Sequence, residues 1–316
     1  MNSEEFLDHL KETCADAIDT YRREYPEAPP LSEFHTYDPH SAPASKRDIY
    51  TCFAALTEFY DALFDVDSTS YHDLWRDHLV YDYSWRERVA LATGNLPQSL
   101  TLLSIEGRYS RSTGYIGVSG GHLPVPVAYS YLTSELCHAY QHRFGSPTWD
   151  HPYLLEGLGV AASIRAMEHL AHDWDDSSLA HVAARQRVIV LLQGVLAHGT
   201  RQGGITQTAV RQLGVTKREL VGLQAMLPWR VLGRFRSRYR WSSTAFFPEY
   251  HLFGSLLLVS ETMGVAETYA RAFDGEHPWG SVSMSFGRPR LAGFGGGITR
   301  RATPDSTCFF GSLDSE

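Results

Sequence analysis

Cysteine is scarce in this chain: Cys14, Cys52, Cys137 and Cys308 are spread over 316 residues, with no Cys-x-x-Cys pair. That excludes a disulfide scaffold and a zinc ribbon, and it fits a reducing compartment. Long hydrophobic runs are missing too. Apolar stretches such as Gly254–Val259 fall far short of the roughly 20 residues that span a bilayer. The opening MNSEEFLDHLKETC has neither a basic start nor an apolar h-region, so no secretory signal is expected. A cytoplasmic protein without a membrane partner is the expectation. An excess of positive charge is also lacking: 28 Lys+Arg against 36 Asp+Glu give a net charge of -8, which leaves no overall nucleic-acid footprint. There is no Walker A loop, Gly-x-Gly-x-x-Gly or Gly-x-Ser-x-Gly elbow, and the glycines of Gly293–Gly297 lack a strand-to-helix setting. No repeat of solenoid period occurs.

What is present suits a globular chain: 43% hydrophobic, 12% aromatic and 20% charged residues, enough for one large domain or two ordinary ones. Phe6, Leu7, Leu10, Cys14, Ala17, Ile18 and Tyr21 recur at helical spacing and predict a helix over 3–24. Five prolines between 26 and 45 break it into a loop. Helical periodicity returns over 46–64 and, less cleanly, over 72–91. The short β-rich segments SLTLLSIE (99–106) and TGYIGVS (113–119) read as strands. Helices follow near 127–144, 152–172, 177–198, 206–213, 216–226 and 245–274, the last broken around Gly264. The chain thus divides into a helical region with a Pro-rich loop (1–95), a core (96–278) and a Gly/Ser-rich tail (279–316).

The chemistry concentrates in YLTSELCHAYQHRFGSPTWDHPYLLEGLGVA, residues 131–161. At about 100° per residue, Ser134 lies near -40°, Tyr131 near +20°, His142 near +40° and Glu135 near +60° from His138. A carboxylate and two imidazoles on one stripe are expensive to bury unpaired, so they call for a metal, a polar network or solvent. Eighteen residues after His138 comes Glu156, followed by Gly157 and Gly159 on a second apolar helix. Glycine there lets two helices approach closely, which would bring Glu156 against the first.

These segments, SELCHAYQH and PTWDHPYLLEGLGVAAS, resemble the gluzincin branch of the zincin metallopeptidases, the thermolysin-like clan. Members of that branch often read His-Glu-Leu-x-His-Ala-x-Gln, then Pro-x-Trp, then Glu-Gly-Leu-Ala. The resemblance covers roughly residues 95–275. It implies an α+β, predominantly helical fold: a zincin-like core with a small sheet, an active-site helix and a helical C-terminal half. It also implies zinc-dependent hydrolysis of a peptide or small-molecule substrate. Glu135 matches the general base, His138 the second ligand histidine and Glu156 the third ligand. GYIGVS resembles the edge strand that binds extended substrate. EYHLFGSLLLVSETMGVAETYARAF is similar to a later helix, in which Tyr250 or His251 takes the oxyanion-stabilising role.

The first ligand position holds Ser134, whose hydroxyl is a poor zinc ligand beside imidazole. Three arrangements accommodate it. His142 replaces the missing ligand, placing the metal about one turn further along and making Glu135 a ligand candidate. Or His122, His151 or His251 completes the set. Or no metal binds, and the fold serves binding or metal-free chemistry. Plainer roles stand beside these: His142 as a solvated residue at the negative end of its helix, His138 as a hydrogen-bonded structural histidine, Cys137 as packing, His151 as a turn cap. Glu135-x-x-His138 is also half of a carboxylate-bridged di-iron motif. The only partner is Glu168-x-x-x-His172, at the wrong spacing. The segment WRVLGRFRSRYRW carries Arg230, Arg234, Arg236, Arg238 and Arg240, which suit an acidic partner or surface carboxylates. Cys308 in the tail is a conceivable inhibitory metal ligand.

Overall fold

The computed structural model describes residues 3–28, 31, 42–80, 107–110, 115–118, 123–145, 152–201, 213–216, 219, 247–262 and 268–273. Helix α1 (Ser3–Glu24) buries Leu10, Cys14, Ile18 and Tyr21, the stripe its period foretells. Helix α2 (Lys46–Phe64) starts at a capping box: Asp48 N–H donates to Ser45 Oγ (3.2 Å) and Ser45 N–H to Asp48 Oδ2 (2.7 Å). It ends at Asp65, whose φ of 54° is left-handed.

Helix α3 (Thr69–Asp77) is shorter than the period over 72–91 implies. The chain instead enters strand β1 (Leu79–Val80), which pairs with a later strand. Pairing with a distant segment overrides a weak helical period here. Strands β2 (Gly107–Ser110) and β3 (Tyr115–Val118) complete a sheet of order β1-β3-β2. Leu79 faces Ile116 in parallel register, and Tyr109 faces Ile116 in antiparallel register. This corrects one expectation. The GYIGVS segment is the middle strand among the described residues, not an edge, and the N–H of Ile116 donates to His78 O at 3.1 Å. Ile116 and Val118 are fully buried, and a strand so apolar gains most from neighbours on both sides. The segment 99–106 lies outside the described residues.

The long helices are α4 (Val125–Phe144), α5 (Pro152–Asp173), α6 (Ser177–Arg201), α7 (Phe247–Thr262) and α8 (Thr268–Phe273). Pro126 in the first turn of α4 suits a helix start, where no backbone N–H is needed. Asp176 caps α6, accepting from Ser178 N–H (2.8 Å) and Leu179 N–H (3.2 Å). The expected helix over 245–274 is thus α7 followed by α8, with Gly264 outside the described residues. So are most of the two helices expected over 206–226, and the tail. Thr216 and Glu219 do form a capping box, the Thr216 N–H donating to Glu219 Oε2 at 2.9 Å.

Helix α7 is the central rod: Leu256, Leu257, Leu258 and Val259 are all fully buried, and it packs on α5 and α6. Helix α4 packs on α5 and α2 and carries β2 and β3 on its side, while α1 lies on α6. A single apolar cluster runs from Leu10 to Phe273, so the first 80 residues contribute α1 and α2 to the same core as the later helices. The described part is predominantly helical, and none of its helices is long and apolar enough to cross a membrane.

Two polar clusters tie these helices together. Tyr140 of α4 is fully buried, with its hydroxyl 2.6 Å from Ser68 Oγ, 2.7 Å from Asp61 Oδ1 and 2.9 Å from Thr57 O. At the other end of the core, Arg187 of α6 grips Glu168 of α5 through two bonds of 2.7 and 2.9 Å. Arg165 joins Glu168 (3.1 Å) and Glu261 of α7 (2.6 Å), and Tyr269 of α8 donates to Glu261 at 3.3 Å.

Candidate functional site

Helix α4 presents its polar stripe beside α5. Its opposite side carries Leu132, Leu136, Cys137 and Tyr140, all fully buried, so the packing role read for Cys137 holds. Along the stripe, burial is graded. Glu135 is 5% exposed, Ser134 and His138 are partly exposed, and His142 is exposed.

His138 is held from two directions. Its Nδ1 lies 2.8 Å from Oε1 of Gln141, one turn further along the same face. A carboxamide oxygen only accepts, so this contact calls for the proton on Nδ1, which would place the lone pair on Nε2. The ring also lies against Gly159 of α5: a Cβ at that position would stand 2.8 Å from His138 Cε1 and 3.3 Å from Nε2. The absence of a side chain at 159 is what lets the imidazole occupy the α4–α5 seam, as the glycine spacing implies. Glu156 stands three residues before Gly159, on the same side of α5.

A second close approach lies one step away. A Cβ on Gly254 of α7 would meet the Gly157 carbonyl oxygen at 3.2 Å. Tyr250 and His251 occupy the turn of α7 before Gly254, so the backbone brings that turn toward the segment bearing Glu156. The side chains of Glu156, Tyr250 and His251 lie outside the described residues, as do His122, His151, Arg230–Arg240 and Cys308 entirely.

His142 is bonded through one ring nitrogen. Its Nδ1 is 2.6 Å from the hydroxyl of Tyr109 on β2, tying the end of α4 to the sheet. Glu168, the carboxylate of the imperfect di-iron half-motif, is occupied by Arg187 and Arg165. Among the described residues, no group of three or more His, Cys, Asp or Glu side chains is placed to hold a metal ion.

Sequence reading overlooked two contributors. Gln141 was visible as part of the His-Ala-x-Gln match and as the neighbour of His138 at i,i+3, whereas Tyr109 comes from a strand with no local signal. A Ser68–His72–Asp61 grouping also emerges, but it is no nucleophilic triad. Ser68 Oγ is fully enclosed, and it shares His72 Nε2 with Asp61 (2.7 and 3.8 Å), whereas a triad needs serine and aspartate on opposite ring nitrogens.

The seam makes a stability prediction. Gly to Ala inside a helix ordinarily stabilises by about 0.5–1 kcal/mol. Gly159→Ala is expected to destabilise by about 1–3 kcal/mol instead, because the new methyl must displace the His138 ring. Urea denaturation at constant m-value measures it, and a gain in stability would show that the ring yields to the methyl at little cost, against this expectation.

No protein-family model matches this chain, and neither does any curated protein or solved structure.

Proposed function

We propose that the chain is a gluzincin-like metal-dependent hydrolase, peptidase-like in its chemistry, with an altered set of metal ligands. One observation carries the reading. His138 is seated on Gly159 with its Nδ1 proton committed to Gln141, which leaves Nε2 as the lone-pair nitrogen beside the α5 segment that bears Glu156. A metal-binding histidine commonly donates its other N–H in this way.

The donors fit a divalent cation such as zinc in part. His138 and Glu156 would hold it, with His142 one turn further along α4 as the candidate third ligand. Ser134 stands where a second imidazole is usual, so affinity below that of the usual three-ligand site is expected. Such an ion would supply polarisation of a carbonyl and acidification of a bound water. Glu135, on the buried side of the stripe, would take a proton from water on a carboxylate oxygen, and Tyr250 or His251 would steady developing oxyanion charge.

A second reading has one observation in its favour. His142, the other imidazole of α4, is exposed and bonded to Tyr109 of the sheet, whereas His138 lies against α5. On that reading the chain is a catalytically degenerate zincin-fold protein, used for binding or for non-hydrolytic chemistry on a small molecule.

Elemental analysis of the purified full chain, combined with hydrolysis of a mixed peptide pool, separates the two. The hydrolase reading expects bound metal, chelator-sensitive cleavage, and a loss of about 10²–10⁴-fold in Glu135→Gln with metal retained. A metal-free protein whose Glu135→Gln variant behaves as wild type sinks it.

A further inference from the structure

We infer that Gln141 is a positioning residue whose side-chain oxygen fixes His138 in the Nδ1–H tautomer and so presents Nε2 to the α4–α5 seam.

Three features of the structure support this. Gln141 is only 7% exposed, so its carboxamide is confined and its oxygen must find a donor within the protein. It meets His138 Nδ1 at 2.8 Å, a full-strength hydrogen-bond distance. The imidazole also lies against α5 at Gly159, which confines the ring on that side. One side chain therefore sets the proton position and an adjacent helix sets the ring plane. Histidine free in water has no such constraint, since either nitrogen may carry the proton. The role of Gln141 as an aid to metal binding rests on the hydrolase reading. The tautomer itself does not.

The test uses the full chain labelled with ¹⁵N at histidine, freed of metal and kept at a pH where the ring is neutral. Long-range ¹H–¹⁵N spectra report which ring nitrogen is protonated, and the His138 signals are identified by their absence in His138→Gln. The wild-type protein is expected to show Nδ1–H. In Gln141→Leu the protonated Nε2 form should become populated, and Gln141→Glu, which keeps an acceptor, should restore Nδ1–H. A wild-type spectrum with the proton on Nε2, or a tautomer unchanged in Gln141→Leu, overturns the inference. The wild-type spectrum decides even where a variant folds poorly.

A parallel titration with zinc ion alone, against a competing chelator, separates this inference from the reading it deepens. Binding weakened about 10–100-fold in Gln141→Leu and recovered in Gln141→Glu supports both. Equal zinc affinity in wild type and Gln141→Leu overturns the positioning role. Failure of every form to bind zinc, with the Nδ1–H tautomer present and lost in Gln141→Leu, upholds the role of Gln141 and removes the metal-dependent reading.

Discussion

Arg187→Met is expected to destabilise the fold by about 3 kcal/mol, near the lower end of what breaking a buried ion pair costs. The guanidinium side chain is 18% exposed and makes a two-pronged contact with Glu168, with Glu261 3.7 Å away. Methionine fills much of the same volume but leaves two carboxylates with Arg165 as their shared cation. Four helices meet at this point, so the loss reaches α5, α6, α7 and α8 together. A pH dependence accompanies it. Burial already raises the Glu261 carboxyl above its ordinary range, against the lowering pull of Arg165 and Arg187. Removing Arg187 lifts it further. A carboxyl raised in the folded state binds its proton more tightly there than in the unfolded chain, so it destabilises most at neutral pH. That penalty shrinks as pH falls through the folded value. The gap between variant and wild type, measured by urea denaturation, should therefore narrow from pH 7 toward pH 5. A gap that is negligible at pH 7, or that widens on acidification, contradicts the network.

Tyr140→Phe is expected to cost about 2–3 kcal/mol, through lost bonds to a charged group and to enclosed polar atoms. The order of the bonds explains the size. Asp61 accepts from the Tyr140 hydroxyl, which spends its single proton there; Ser68 then donates to Tyr140, and His72 Nε2 donates to Ser68. Removing one oxygen breaks this directed chain in its middle, leaving the fully enclosed Ser68 hydroxyl and the Asp61 carboxylate to find new partners. The ring itself remains packed against Tyr60, Trp75 and Phe144, so no cavity larger than the hydroxyl opens. A double-mutant cycle with Asp61→Asn isolates the pair and should return a coupling of about 1 kcal/mol or more. Additive losses would show that the hydroxyl contributes through packing alone.

Both clusters hold chain segments in the places that the site needs. Tyr140 pins α4 to α2 about one and a half turns beyond Glu135, on the side of α4 opposite His138. The Arg187 cluster locks α5 to α6 and α7, beyond the glycine contacts that bring α5 toward α4 and α7. Neither cluster was read from sequence, because each joins residues from several elements and leaves no local pattern.

The sequence by itself determined the rods and much of the candidate stripe. Helices α1 and α2 follow from apolar residues recurring every three or four positions, and α4, α5 and α6 match the helices expected near 127–144, 152–172 and 177–198. The stripe of Ser134, Glu135, His138 and His142 follows from the same period, and Gly159 announces a close approach. Only the tertiary structure decided that GYIGVS sits between two strands, that 79–80 pair with it instead of continuing a helix, that Tyr109 takes His142, and that Gln141 and Gly159 together orient His138. The physical reason is range. A helix stripe is set by neighbours within a turn or two, whereas strand order and hydrogen-bond partnership depend on which distant segments meet when the whole core closes.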